Sequence, residues 1–331
     1  MKPRVLSGMR PTGALHLGHY HGALKNWVQL QADHECFYFV ADWHALTTHY
    51  DDHADLERNV YDMVVDWLAA GIDPDRATLF IQSRLPEHAE LFTLLAMGTP
   101  LSWLERVPTY KDQMKALSGR DLATYGFLGY PLLQAADILI YKAAFVPVGE
   151  DQAPHVEITR EVARRFNHLY GKGHTVLLEP ATLLTETSKL PGLDGAKMSK
   201  SFGNDIAMRE EPAEVERKIK RMPTDPDRVR RTDTGNPERC PVWQFHKLYS
   251  DVDTRDWVVK GCTTAGIGCL ECKQPVIDAI KKEQEPWRER AEAYLVNPKH
   301  VHWIVEVGTE RARTVARKTM REVRGAMGLN Y

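Results

Sequence analysis

The stretch RVLSGMRPTGALHLGHYHGA, residues 4–23, decides the fold. Its first five residues, RVLSG (4–8), read as a short strand, and they run into Pro11 and Gly13, which make a turn. A helix then opens near Gly18. A strand, a tight turn and a helix in that order put the first helical N–H groups at the carboxyl end of a sheet, where the helix dipole favours a nucleotide phosphate. His16 and His19 project from the start of that helix, and Gly18 leaves room for a flat adenine against the backbone. Either histidine alone reads as a structural or surface residue. H-x-G-H directly after a first strand is the stronger signal.

Working outward, ECFYFVA (35–41), ATLFIQ (77–82) and AFVPV (144–148) are further strand-like runs. Residues 18–31 and 54–70 carry helical spacing between them, the second through Leu56, Val60, Val64, Trp67 and Leu68. This alternation predicts an α/β fold, a doubly wound parallel sheet of the Rossmann-like type. Beyond about residue 200 the strand signals stop. Residues 212–221, 276–294 and 309–327 are Glu/Arg/Lys-rich with helical period, while 223–241 is dense in Pro, Asp, Gly and Arg and reads as a loop. The expected organisation is a nucleotide-binding catalytic domain over 1–195 and a smaller all-helical domain over 196–331.

The chain has 331 residues, 43% hydrophobic and 27% charged, which excludes disorder, collagen and a disulfide-stapled miniprotein. No apolar run approaches the roughly 20 residues of a membrane helix, and MKPRVLSGM lacks a signal-peptide core, so a cytoplasmic protein is expected. The net charge of -2 conceals an asymmetry: 17 Lys+Arg against 24 Asp+Glu up to residue 195, and 26 against 21 after it, or -7 and +5. A basic second half suits a polyanion; Arg-rich solvated helices are the plain alternative.

Chemistry-bearing residues recur along the chain. Ala196-Lys197-Met198-Ser199-Lys200-Ser201 lies in a glycine-rich loop, PGLDGAKMSKSFGN, whose lysines and hydroxyls suit a triphosphate as its charge shifts to pyrophosphate. Tyr130, Gln134, Asp137 and Tyr141 form a polar stripe on an otherwise apolar helix. A buried Asp137 needs a donor: an indole N–H is one, a nearby cation another. Gly149-Glu150-Asp151-Gln152 opens a helix after a strand. A carboxylate there suits a ribose hydroxyl pair and Gln152 an ammonium or carboxylate group, with a simple acidic N-cap as the alternative. Cys240, Cys262, Cys269 and Cys272 crowd into 33 residues, a donor set for zinc or a [4Fe–4S] cluster, spacing alone favouring zinc. Cys36, inside a strand, reads as core.

HLGH (16–19) and KMSKS (197–201) resemble the two signatures of class I aminoacyl-tRNA synthetases. The stretches SGMRPTGALHLGH, FVADWHALTT, QSRLPEHAEL and VPVGEDQAPHVEITREVARRFN look like the tryptophan-specific branch of that family, and the resemblance covers essentially the whole chain. It implies that ATP, with Mg²⁺, and L-tryptophan form tryptophanyl-adenylate and pyrophosphate, followed by transfer to tRNA(Trp). His16, His19, Lys197 and Lys200 are the catalytic residues it implies. On the ATP side it adds Arg10, Pro11, Thr12, Gly18, Gly149, Glu150, Asp151, Leu190, Met198, Ser199 and Ser201. Asp137 reads the indole nitrogen, joined by Gly8, Val40, His44, Tyr130 and Gln152, with Gln134 where the family usually shows methionine. Such a pocket should reject phenylalanine by ~10⁴-fold or more.

NPERCPVW and GCTTAGIGCLEC resemble the subset of tryptophan enzymes that carries a [4Fe–4S] cluster, which makes the cluster the expected occupant and zinc the alternative. The cluster would staple the loop 228–231 against the C-terminal helices and shape an RNA-facing surface. The resemblance also implies a homodimer joined near residues 60–130. The other readings to test are the tyrosine-specific sister enzyme, an H-x-G-H nucleotidyltransferase acting without RNA, and a non-catalytic RNA-binding or redox-sensing relative.

Overall fold

Five parallel strands make one sheet in a computed structural model that describes every residue except 1, 52, 108–123, 150, 151 and 185–189. They are β1 (Arg4–Met9), β2 (Glu35–Val40), β3 (Ala77–Ile81), β4 (Phe145–Val148) and β5 (Ala181–Leu184), in the order β3-β2-β1-β4-β5. The sequence reading found the first four. The fifth is four residues long at the sheet edge and half exposed, so it carries little apolar patterning.

β1 pairs with β2 along its whole length, from Arg4 with Glu35 to Met9 with Val40. Its pairing with β4 is confined to Val5 and Phe145. Strand order reverses at this same junction, and the two strands part beyond it, so the crevice favoured by doubly wound sheets opens between their carboxyl ends.

β2 is buried on both faces, as its unbroken apolar run requires. Cys36, Tyr38 and Val40 point into one core with Trp27, Met63 and Trp67, and Phe37 and Phe39 point into the other with Leu91, Leu132 and Leu139. Cys36 is therefore a core residue. Tyr38 stacks on Trp27 with ring centroids 4.4 Å apart and donates its hydroxyl hydrogen to the Trp27 carbonyl at 2.9 Å.

The helix after β1 starts as α1 (Leu17–His19), widens into a π turn (Tyr20–Leu24) and continues as α2 (Lys25–Leu30). α3 (Asp42–Leu46) follows β2, and α4 (Leu56–Ala70) leads to β3, ending at Gly71, whose φ of +110° makes it a left-handed cap. α5 (Glu87–Ala96), α6 (Leu101–Glu105) and α7 (Tyr125–Ile140) separate β3 from β4. The Thr124 side chain caps α7 by accepting from Phe127 N. α8 (Ala153–Tyr170) joins β4 to β5.

Among the described residues the chain after 195 contains no strand. Its helices are α9 (Pro212–Arg221), α10 (Pro241–Tyr249), α11 (Val252–Thr263), α12 (Cys269–Leu295) and α13 (Pro298–Met327). α13 sends Val301, Ile304 and Val305 into one core and Ala312, Ala316, Met320 and Val323 into the other. Between them Gly308 lies so close to β3 that a Cβ there would sit 1.9 Å from the Leu79 carbonyl oxygen. The helix thus crosses the β3 edge and shields it, which an exposed edge strand needs. The core runs continuously across residue 195. None of the described helices is long and apolar enough to cross a membrane.

Candidate active site

A cavity of about 490 Å³ occupies the crevice. β1 contributes Gly8 and, just past its end, Arg10; α3 contributes His44, and α7 contributes Tyr130, Gln134 and Asp137. Ser7, Asn26, Thr47, Gly149, Gln152 and Lys197 line it too. Gly8 must be glycine, because a Cβ would meet the Phe39 ring at 2.6 Å. One expected neighbour lies elsewhere. Val40 is fully buried in the core, since the side chains of β2 alternate and its turn falls on the face away from the cavity. Tyr141, at the end of the polar stripe, is buried behind the cavity. Glu150 and Asp151 lie outside the described residues.

Asp137 is fully buried and already surrounded by donors. Oδ2 accepts from His44 Nε2 at 2.7 Å, Oδ1 from His88 Nδ1 at 2.6 Å, and the Gln82 amide reaches both oxygens at 2.9 and 3.0 Å. His88 Nε2 in turn faces the Tyr141 hydroxyl at 2.6 Å. A carboxylate only accepts, so His88 presents its Nδ1–H to Asp137. Burial alone would push the Asp137 carboxyl up, but the hydrogen bonds and charge of His44 and His88 overcome it, and the net direction is down. Tyr141 is pushed up by burial and by Asp137. The four contacts fill both carboxylate oxygens, so a further donor enters by exchange. Of the present donors, His44 is the one that lines the cavity.

The HLGH start and the KMSKS loop meet beside the cavity. His16 and His19 stack with centroids 3.7 Å apart, and the His16 backbone N–H donates to His19 Nδ1 at 3.2 Å. Burial, His16 and the two signature lysines push His19 down to about 3, and burial also lowers His16. Both rings are therefore neutral at pH 7. Gly13, at φ +122°, lets Lys200 lie across the turn: a Cβ there would be 2.7 Å from Nζ. The bare side of Gly18 instead faces the His16 ring and Met198. Met198 and Leu190 are buried, anchoring the loop in the core, while Pro11 and Thr12 line a separate cavity of about 230 Å³. Ser199 offers its backbone N–H to Asn204 Oδ1 at 2.8 Å; the Ser201 side chain is outside the described set.

The cysteines come from three elements: Cys240 precedes α10, Cys262 ends α11, and Cys269 and Cys272 occupy the first turn of α12. All four line one small cavity of about 20 Å³. They are free thiols, and among the described residues no three metal-binding side chains converge as a ready ligand set; their convergence is on the cavity alone. Burial and the other three cysteines push Cys272 up to about 12. The loop 228–231 departs from expectation: of its three arginines only Arg230 and Arg231 are exposed. Arg228 is buried, with Nη1 3.9 Å from Cys262 Sγ and Nη2 donating to Ile267 O at 2.5 Å, because a guanidinium beside thiols and bare carbonyls is better paired inside.

A family model described as class I tRNA synthetases for tryptophan and tyrosine matches residues 1–283. The chain belongs to this family. The tryptophan–tRNA ligase of Ralstonia nicotianae is 58% identical with 99% of both chains covered, and that of Thermotoga maritima is 54% identical over 99% of this chain and 100% of its own. A solved tryptophanyl-tRNA synthetase from Campylobacter jejuni, complexed with ADP and tryptophan, has a TM-score of 0.87 at 33% identity, covering 98% of this chain and 100% of that one.

Several residues of this class I synthetase escaped the sequence reading. Gln82 and His88 stand in or beside the quoted QSRLPEHAEL run, yet only the folded chain brings them to Asp137. Asn204 organises the signature loop: besides Ser199 N, its Nδ2 donates to Asp194 Oδ1 at 2.8 Å and to Lys197 O at 3.1 Å. Gly192 makes room for it, since a Cβ there would sit 2.3 Å from Asn204 Nδ2. An Asn three residues beyond KMSKS, directly after a glycine, is a turn signal that spacing alone does not turn into a role.

Proposed function

We propose that this chain joins L-tryptophan to tRNA(Trp): the amino-acid carboxylate attacks the α-phosphorus of ATP, pyrophosphate leaves, and the tryptophanyl group passes from the adenylate to the tRNA. The observation that carries this is one cavity with Lys197 of the KMSKS loop and a buried, ionised aspartate in its wall, the HLGH segment being bonded to the return limb of that same loop. Tryptophan's carboxylate is already ionised at neutral pH, so the first step needs placement and charge stabilisation instead of a general base. Lys197 and Lys200 supply positive charge to the phosphates, together with the Mg²⁺ that accompanies ATP. His16 and His19, held neutral, act as hydrogen-bond donors beside them. On the amino-acid side, the indole N–H exchanges with His44 at Asp137, Tyr130 and Gln134 flank the ring, and Gln152 holds the ammonium or carboxylate group. Gly149 and Asp151 serve the adenosine, with Arg10 toward the phosphates.

The test is ATP–pyrophosphate exchange with purified protein, run separately with tryptophan and tyrosine. Exchange driven by tryptophan is expected. Exchange with tyrosine alone would transfer the assignment to the sister specificity, and none with either would leave an RNA-binding relative.

The cysteine cavity is the proposed seat of a [4Fe–4S] cluster held by Cys240, Cys262, Cys269 and Cys272. Four thiols from three elements on one cavity support it, as do two buried cations, Arg228 and Lys273, in its wall. Such a group supplies a cross-link between helices and takes no part in the two chemical steps. The cavity is close to the size of one small sphere, so the thiols must move outward, further for a cube than for a single zinc. Brown protein with about four iron and four sulfide per chain is expected. Colourless protein prepared without air and holding one zinc would replace the cluster with the alternative. The reading further includes a cytoplasmic homodimer joined near residues 60–130, which light scattering checks by mass. The exposed Arg230 and Arg231 would face tRNA phosphates.

A further inference from the structure

The two signature segments are stitched into one ribbon. Leu17 N donates to Ile206 O at 3.0 Å, Met208 N donates to Leu15 O at 2.8 Å, and His16 forms a bridge with Ala207. The start of HLGH therefore shares backbone bonds with the return limb of the KMSKS loop. Beneath the ribbon lies Asp66, on the buried face of α4 and 1% exposed. Its two oxygens are divided between the segments: Oδ2 accepts from Leu15 N at 3.0 Å and Oδ1 from Arg209 Nε at 2.5 Å. Gln284 of α12 holds the ribbon from the other side, donating to Ala207 O at 2.8 Å.

A buried carboxylate is costly unless each oxygen has a donor, and this one draws its donors from segments 143 residues apart in one case and 51 in the other. Neither Asp66 nor Arg209 lines the main cavity. No binding or catalytic contact in the reaction above accounts for either of them.

We propose that Asp66 and Arg209 are positioning residues for adenylate formation, a buckle that fixes His16 and His19 against the hinge of the KMSKS loop. The inference rests on the reading of the cavity as the ATP and tryptophan site. With the buckle closed, the ribbon holds its register, and Lys197 and Lys200 swing from a fixed point onto the phosphates beside the histidines. Asp66→Asn keeps one acceptor but turns an N–H₂ toward either Leu15 N–H or the Arg209 guanidinium, so one segment is released. Arg209→Lys keeps the charge and loses the directed Nε–H bond.

The test measures tryptophan-dependent ATP–pyrophosphate exchange, tryptophan binding by equilibrium dialysis, and thermal stability for Asp66→Asn, Arg209→Lys, Arg209→Gln and the Asp66→Asn/Arg209→Gln pair. Asp66→Asn is expected to lower kcat about 10- to 100-fold and to raise KM for ATP. Tryptophan affinity should stay within about twofold, since the indole wall is untouched, and the double variant should lose little beyond either single one. Arg209→Lys should recover part of the loss seen with Arg209→Gln. If Asp66→Asn does not fold, the half-buried Arg209 variants carry the same comparison. A kcat within twofold of the parent, or tryptophan affinity falling in step with kcat, overturns the buckle while leaving the synthetase reading intact. Absence of exchange in the parent chain overturns that reading, and the buckle with it.

Discussion

The Asp137 cluster and the cysteine cavity are both buried polar assemblies drawn from distant parts of the chain, but only the first is tied together by hydrogen bonds among its own members. Both Asp137 oxygens have donors and His88 is positioned by a further bond to Tyr141, Gln82 Oε1 alone being left without a partner among the described residues. The cysteines share a cavity without bonding one another, and burial holds Cys240, Cys262 and Cys272 toward their neutral thiol forms. A recognition site must keep its shape before its ligand arrives, so the protein supplies the missing partners itself. A metal site, the role proposed for the cysteines, would take its final shape from the metal, and its energy of assembly would come with it.

The largest effect that would sharpen this contrast is at Asp137. Asp137→Asn leaves a donor facing the histidines and Gln82, and kcat/KM for tryptophan in pyrophosphate exchange should fall at least about tenfold; a parental value removes the aspartate from recognition. Next is the proposed cluster. If the cysteines hold it, stripping it with a chelator under reducing, air-free conditions should lower Tm by about 5 °C or more while tryptophan binding by the Asp137 side survives; an unchanged Tm would erase the contrast. Third, Gly8→Ala drives a methyl into Phe39, whose ring lies against His88 with centroids 6.3 Å apart, at a cost of about 1–3 kcal/mol in urea unfolding.

The smallest effect concerns pH in the metal-free protein. Folding raises the Cys272 thiol from its ordinary 9.0 to about 12, so the stabilisation is complete below pH 9 and drains away between 9 and 12, where the unfolded chain alone has given up the proton. The urea midpoint should fall across the lower part of that range, by at most about 1.4 kcal/mol per pH unit, and Cys272→Ala should flatten the slope.

The sheet was legible because β1 to β4 each carry a dense apolar or β-branched run. β5 and the polar helix Val252–Thr263 were not, since neither buries a continuous stripe. HLGH and KMSKS were legible as compact motifs, whereas the π turn at Tyr20–Leu24 has no local signature. Asp66 was invisible for a different reason. It sits among the apolar positions of an amphipathic helix, and its meaning is supplied by Leu15 and Arg209, which no local window contains. Val40 failed in the opposite sense: it lies near the cavity in sequence, but strand alternation turns it away.

The passage of α13 over the β3 edge at Gly308 also orders events at the ribosome. Both cores on the sheet are closed by the last thirty-odd residues to be made, so a nascent chain that has completed β5 at Leu184 still lacks the helix that finishes at Met327. At ordinary elongation rates that gap lasts on the order of 7–30 s. Throughout it the nucleotide-binding half has an uncovered edge strand and two unfinished apolar faces. A chain stopped near residue 300 would lack the Gly308 crossing over β3 and is expected to aggregate instead of forming a working half.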